Sequence, residues 1–235
     1  MKLFVANLKM NLTLHQTLDW CNNYLELFKE IDHKLIICPL YPSLTAVSQL
    51  LKDTDIALCA QSCSEETKGA FTGQVDAQSL AQAGCSYVLV GHSEERTALK
   101  LSNQQVAQKA LRVLEAGMIP IICIGEPETI YQAGNTQEFL EEQLFFVKRI
   151  LNGAPAYIAY EPLWAIGTGK TPTNQELTTI VANLKLFIKG CAFLYGGSVN
   201  AATITHLNQV KDFCGYLVGN ASLDGDELKK TIELS

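Results

Sequence analysis

Eight short apolar runs recur along the whole chain, and each is too brief to form a free-standing helix. Their residues are continuously apolar instead of alternating with polar ones, which is typical of strands buried on both faces of a parallel sheet. The runs are Leu3 to Leu8, Leu35 to Cys38, Ile56 to Ala60, Tyr87 to Val90, Pro120 to Ile124, Tyr157 to Tyr160, Ala192 to Tyr195 and Tyr216 to Val218. The fold must therefore bury eight strands together.

Segments with helical periodicity separate these runs. Apolar residues recur every three or four positions over Ser102 to Ala116 and over Thr136 to Leu151, so both segments are predicted helices. Gly117 is the predicted C-cap of the first one. The apolar positions that share a face are Val106, Ala110, Val113 and Leu114 in the first segment and Phe139, Leu140, Leu144 and Val147 in the second. Strand and helix alternate throughout.

Eight repeats of strand and helix favour a closed α/β fold, the (β/α)8 TIM barrel of eight parallel strands ringed by helices. An open doubly wound sheet is the alternative, because periodicity indicates the number of strands better than it indicates closure. The first strand-to-helix junction, residues 7–11, has no GxGxxG nucleotide-binding pattern, which weighs against that alternative. No linker or low-complexity stretch divides the chain, so we expect residues 1–235 to form one domain.

Charge and cysteine content narrow the classes of function. The 18 Lys and Arg residues against 24 Asp and Glu residues give a net charge of -6, which provides no broad footprint for nucleic acid or an anionic membrane. No apolar stretch is long enough to span a bilayer. The eight cysteines are scattered without CxxC spacing, so we expect mostly buried free thiols in a chain that works in the reducing cytoplasm.

Polar residues follow several of the predicted strands. In a parallel barrel the strand ends gather around one mouth, where the chemistry takes place. Each residue alone has an ordinary explanation as a solvated lysine, a turn histidine or an exposed carboxylate, but together they predict one cleft that holds a cation, an imidazole, a carboxylate and glycine-containing loops. The residues are Asn7 and Lys9 after the first run, His92 and Glu94 after the fourth, Glu161 to Lys170 after the sixth, Gly196 to Ser198 after the seventh, and Gly219 and Asn220 after the eighth.

The glycine-containing loops suit a phosphate group. Glycine lets the backbone approach a ligand closely, and exposed N–H groups or helix N-termini supply partial positive charge. The loops after strands seven and eight are a recurrent phosphate site in this architecture, which points to Ser198, Gly219 and their neighbours. Because the chain carries a net charge of -6, groups close to the phosphate have to supply the attraction for it.

These residues closely resemble the triosephosphate isomerase family, whose motifs occur here in the same order over essentially the whole chain. The longest and most specific of them is Tyr160 to Lys170, which reads YEPLWAIGTGK. The other motifs are Asn7-Leu8-Lys9, Gly69 to Gly73, Gly91-His92-Ser93-Glu94, Cys123 to Glu126, Tyr195-Gly196-Gly197-Ser198 and Leu217 to Leu223.

The resemblance implies an aldose-ketose isomerase of glycolysis and gluconeogenesis that interconverts dihydroxyacetone phosphate and D-glyceraldehyde 3-phosphate through an enediol. It implies Glu161 as the base, His92 as the group that polarises the carbonyl and Lys9 as the positive charge, with Asn7 positioning the substrate and Glu94 supporting the site. It further implies phosphate binding by Gly167, Ser198, Gly219 and Asn220, and a mobile lid over Pro162 to Lys170. Proton transfer needs neither a metal nor a cofactor, so none is expected.

The resemblance also implies a homodimer, because Gly69 to Gly73 is similar to the loop with which this family reaches a partner subunit. Some positions differ from what is usual in the family. Ser62, Gln74 and Glu95 bear on the strength of the expected interface, Asn220 on phosphate affinity and Pro172 on lid hinging. Leu8 stands where tryptophan is common.

Two other functions remain open at this point. The first is an aldolase that uses Lys9 as a Schiff-base nucleophile. The second is a sugar-phosphate sensor that keeps the barrel without turnover. The separate His92 and Glu161 favour proton transfer over both.

Overall fold

The computed structural model describes residues 1–235, and its eight parallel strands close into a barrel in chain order. The strands are β1 (Leu3–Asn7), β2 (Lys34–Cys38), β3 (Ala57–Ala60), β4 (Tyr87–Val90), β5 (Ile119–Ile124), β6 (Ala156–Tyr160), β7 (Cys191–Tyr195) and β8 (Phe213–Val218). Closure is made by β1 and β8, in which Phe4 pairs with Tyr216 and Ala6 with Val218. The predicted (β/α)8 barrel is confirmed, and the open sheet is wrong.

Both faces of the strands are buried, which explains why the runs are continuously apolar. One set of side chains fills the barrel interior, for example Val5 and Leu89, and its neighbours along the strands, such as Phe4 and Val88, pack outward against the helices. Alternate residues of a strand point to opposite faces, so both faces of these strands need apolar side chains.

Ten α-helices surround the barrel. They are α1 (Leu14–Tyr24), α2 (Leu44–Leu50), α3 (Ala77–Gln82), α4 (Ser93–Leu99), α5 (Asn103–Glu115), α6 (Glu128–Gln132), α7 (Thr136–Leu151), α8 (Asn174–Phe187), α9 (Ile204–Leu207) and α10 (Gly225–Glu233). The two predicted helices are confirmed as α5 and α7, with Ser102 as the N-cap of α5 and Gly117 following it at a φ of 77°. The short α4 and α6 were not predicted, because five to seven residues carry too little periodicity.

All eight cysteines are free. Six of them are buried, as predicted, whereas Cys191 and Cys214 are partly exposed. None of the helices combines the length and the apolar character that crossing a bilayer requires.

Candidate active site

A cavity of about 200 Å³ opens at the carboxyl ends of the strands. It is lined by every predicted site residue except Glu94: Asn7, Lys9, His92, Glu161, Gly167, Ser198, Gly219 and Asn220. These residues come from five different strand ends, and barrel closure brings them together. The cavity is thus built by the fold rather than by one local motif.

Glu161 follows β6 and is only 2% exposed. Its Oε1 atom lies 3.1 Å from Nε2 of His92, which follows β4, and its Oε2 atom accepts a hydrogen bond from the backbone N–H of Ser93 at 3.4 Å. Gly196 leaves room for the carboxylate, because a Cβ atom at that position would lie 2.9 Å from Cγ of Glu161. A carboxylate and an imidazole therefore meet with little exposure to solvent.

His92 is held at both ring nitrogens. It is the N-cap of α4, where Nδ1 accepts a hydrogen bond from the backbone N–H of Glu94 at 3.3 Å, and this leaves Nε2 to donate toward Glu161. Burial lowers the pKa of His92, but the Glu161 and Glu94 carboxylates together outweigh burial and hold that pKa above its ordinary value. The pair is thus arranged for exchanging a proton or sharing one with a bound molecule.

Lys9 has a left-handed backbone with a φ of 52°, which is uncommon for a residue other than glycine. Two neighbours hold it: its N–H donates to Oδ1 of Asn7 at 3.1 Å, and Nε2 of Gln61 donates to its carbonyl at 2.8 Å. Its ammonium group forms an ion pair with Oε1 of Glu94 at 2.6 Å. Glu94 lies outside the cavity lining and contacts two residues that line it, Lys9 through this ion pair and His92 through its backbone N–H.

The segment Pro162 to Lys170, here called the lid, covers one side of the cavity. It begins with a 3₁₀ turn at Leu163–Ala165, and Gly167 and Gly169 have positive φ values of 69° and 75°. The lid contacts the loop after β7, because Ser198 Oγ donates to the carbonyl of Ala165 at 2.6 Å and accepts from the N–H of Gly169 at 3.2 Å. Ser198 therefore joins the lid to a glycine-containing loop.

Asn220 begins the 3₁₀ turn Asn220–Ser222 after β8, and its φ is not positive. An asparagine therefore fits there without backbone strain. Pro172 is buried between the lid and α8, next to the N-cap residue Thr173. Gly219, the residue before Asn220, faces Lys9, since a Cβ atom at position 219 would lie 3.5 Å from Cε of the lysine.

A second and larger cavity of about 850 Å³ lies beside the first, on the outer side of Lys9 and Glu94. Exposed apolar side chains border it, including Met10 at 85%, Phe71 at 45% and Leu99 at 65% exposure. Gln74, Ser62 and Glu95 also line it, and the last two form a hydrogen-bonded cluster with the buried Lys109. This apolar surface borders the candidate active site directly.

Several residues at the site were not assigned a role from the sequence. Ser93 donates its backbone N–H to Glu161, and Gln61 fixes the backbone of Lys9. Glu126, which is fully buried, accepts hydrogen bonds from Trp164 Nε1 at 2.9 Å and from the Tyr160 hydroxyl at 3.1 Å. Ser93 and Glu126 lie in motifs that carry the family resemblance, and Gln61 follows a predicted strand, but the sequence did not indicate the contacts of any of them.

The chain is similar throughout its length to known proteins. The family model described as triosephosphate isomerase matches residues 2–235. Triosephosphate isomerase of Aquifex aeolicus strain VF5 is 37% identical, with 98% of each chain covered, and that of Mesomycoplasma hyopneumoniae strain 7448 is 37% identical with the same coverage. The Wolbachia pipientis wMel protein of the same name is 35% identical over 98% of this chain and 93% of its own.

Proposed function

This chain belongs to the triosephosphate isomerase family, and we propose that it interconverts dihydroxyacetone phosphate and D-glyceraldehyde 3-phosphate with Glu161 as its proton-transfer base. The observation that carries the proposal is the contact between the Glu161 carboxylate and His92 Nε2 at 3.1 Å, inside the cavity that Lys9 and the glycine-containing loops also line. Base, proton donor and cation thus face one small space.

In the proposed mechanism, Glu161 removes a proton from C1 of dihydroxyacetone phosphate while His92 Nε2–H hydrogen-bonds to the carbonyl oxygen at C2. The enediolate that forms carries negative charge beside the Lys9 ammonium, which stabilises it. His92 gives its Nε2 proton to the C2 oxygen and takes up the proton of the C1 hydroxyl, and Glu161 returns its proton to C2, which leaves an aldehyde at C1 and a hydroxyl at C2. No bond other than those to hydrogen is broken, so side chains suffice.

We assign phosphate binding to the backbone N–H groups of Gly167, Ser198, Gly219 and Asn220. All four line the same cavity. The net charge of -6 gives a phosphate no general attraction, so these local groups and Lys9 supply it. The lid would exclude water from the enediolate, which otherwise loses phosphate.

The ion pair between Lys9 and Glu94 argues against the aldolase alternative, because a Schiff-base lysine is activated by an apolar pocket or a neighbouring cation, whereas Lys9 contacts a carboxylate. Borohydride trapping of a substrate adduct on Lys9 would support that alternative. The sensor alternative would leave the contact between Glu161 and His92 without a purpose.

The experiment that tests the proposal is turnover of D-glyceraldehyde 3-phosphate by the wild type and by Glu161→Gln. Loss of a general base costs about 10²-fold to 10⁴-fold in kcat. Glu142→Gln is the matched control, because it makes the same change at an exposed position on α7. An inert wild type, or a Glu161→Gln variant as active as the control, would refute the proposal.

We also propose a homodimer in which the cavity beside Lys9 receives the Phe71 loop of a second copy. The exposed apolar side chains of Met10, Phe71 and Leu99 support this, since a patch of this kind next to a cavity is typical of an association surface. Light scattering should give a dimer mass for the wild type and a monomer mass for Phe71→Asp. Phe145→Asp, at a similarly exposed position on α7, should stay dimeric.

Two further expectations belong to this proposal. Residues 1–235 would act as one domain, which the participation of strands from the whole chain in one barrel supports. The protein would work in the cytoplasm, which eight free thiols support because reducing compartments preserve them.

A further inference from the structure

An aromatic and carboxylate cluster lies where the lid leaves the barrel. Trp164 sits in the first turn of the lid, and its indole ring stacks on Tyr131 with ring centroids 4.3 Å apart and an interplanar angle of 26°. On its other side, the indole Nε1 donates to the buried Glu126 carboxylate at 2.9 Å. The start of the lid is thus fixed between a hydrogen bond and a stacked ring.

Tyr131 also reaches the other end of the lid. Its hydroxyl donates to Oε1 of Glu176 on α8 at 2.7 Å. Oε2 of the same carboxylate accepts from the backbone N–H and the hydroxyl of Thr173, both at 2.7 Å, and this capping box forms the start of α8 directly after the lid. Tyr131 therefore contacts Trp164 near the start of the lid and Glu176 of the capping box that follows the end of the lid.

Tyr131 belongs to a different strand-to-helix connection from the lid and from Glu161. Tyr131 lies on the short helix α6 after β5, whereas the lid and Glu161 follow β6. Its side chain is half-buried and does not line the cavity of the candidate active site. Any effect of Tyr131 on the reaction must therefore pass through the lid.

We propose that Tyr131 is a positioning residue that clamps the two ends of the lid, through its ring on Trp164 and its hydroxyl on Glu176, and so favours the pose in which the lid covers the active-site cavity. The inference rests on the proposed function, because it assigns a role in that reaction. In the clamped pose the lid already contacts Ser198 through Ala165 and Gly169. Loosening either end therefore lowers the fraction of molecules with a covered cavity.

The clamp predicts a graded effect in two variants. Tyr131→Phe keeps the stacked ring and loses the bond to Glu176, which should lower kcat/KM about threefold to tenfold, the equivalent of one hydrogen bond. Tyr131→Leu also loses the aromatic stack, so the decrease should be larger by a further factor of about three or more. In both variants an enediolate under a looser lid should release more inorganic phosphate for each isomerisation.

The experiment measures kcat, KM and inorganic phosphate released per turnover for the wild type and both variants. Lid relaxation is followed through Trp164 fluorescence in a Trp20→Phe background, because the chain has only two tryptophans and Trp20 is buried in α1. Tyr157→Phe is the matched control, since it removes a hydroxyl at the opposite end of the barrel that makes no hydrogen bond.

Higher phosphate release and faster lid relaxation in both Tyr131 variants, with smaller changes in Tyr131→Phe than in Tyr131→Leu, would support the clamp. A variant that is merely less stable would change its urea midpoint without changing the phosphate released per turnover. Phosphate release and relaxation equal to the wild type in an active enzyme would overturn this inference alone. A wild type that isomerises nothing would overturn the proposed function and this inference with it.

Discussion

Lys109 and Glu95 form an ion pair, and Ser62 adds hydrogen bonds to both partners. The burial of the two charged side chains indicates how much the pair contributes to the free energy of unfolding. Lys109 Nζ lies 2.5 Å from Oε1 of Glu95 and 2.9 Å from Ser62 Oγ, and the Ser62 hydroxyl donates to the same carboxylate oxygen at 2.6 Å. The two charged side chains are only 8% and 15% exposed. Little solvent is therefore present to replace either partner.

We expect Lys109→Met to cost about 3 kcal/mol of unfolding free energy, the lower end of the range for a buried pair that loses one partner. The lower end applies because Glu95 keeps the Ser62 hydroxyl and some contact with solvent. For a chain of this length, that loss corresponds to a decrease in Tm of about 6–12 °C. Replacing both partners, as in Lys109→Met with Glu95→Leu, removes the uncompensated charge and should return the stability to within about 1 kcal/mol of the wild type.

Urea unfolding followed by circular dichroism measures these differences, at one fixed protein concentration because association would add to the apparent stability. The matched control is Lys185→Met, which breaks an ion pair with Asp212 at the same 2.5 Å distance but with side chains 43% and 39% exposed. That pair should contribute no more than about 1 kcal/mol. Equal losses for Lys109→Met and Lys185→Met, or a double variant no more stable than Lys109→Met, would refute the reasoning from burial.

Two other predictions concern the active-site strand ends. NMR titration of His92 should give a pKa above the ordinary value of about 6.5 in the wild type, and Glu161→Gln should lower it, since the variant loses the main carboxylate that opposes burial; an unchanged pKa would contradict this. Gly125→Ala should cost more than about 4 kcal/mol, seen as loss of soluble protein, because a Cβ atom would lie 1.8 Å from the carbonyl oxygen of Glu161. Gly117→Ala, with no atom within 4 Å, should cost only about 1–2 kcal/mol for its positive φ.

The strands could be predicted from the sequence because both of their faces are buried. Tyr87–Val90 was predicted to the residue, and the other strands differ by one residue at an end or, for Phe213–Val218, by three. That strand begins with Phe213, Cys214 and Gly215 and contains a register shift against β7, so its start does not read as a simple apolar run. The type of element was therefore predicted correctly, and only the start of β8 was missed, because the strand is irregular there.

The site was predictable to the extent that its residues directly follow strands, as Lys9, His92 and Glu161 do. Contacts made between distant loops were not predictable. The stack of Tyr131 on Trp164 joins residues 33 positions apart, and nothing in the periodicity of α6 indicates which way its tyrosine points. The ion pair between Lys9 and Glu94 likewise joins residues 85 positions apart, and the sequence does not reveal the left-handed backbone of Lys9.

The distribution of thiols gives this protein a built-in reporter of barrel opening. A thiol reagent added to the folded chain can reach Cys191 and Cys214, which are partly exposed. Of the six buried cysteines, Cys38, Cys59 and Cys123 lie in the barrel interior and are shielded until the strands separate. The mass of the labelled chain therefore distinguishes molecules that have opened from those that have not, and the rate at which the heavier species accumulates measures how often the closed ring of strands breaks.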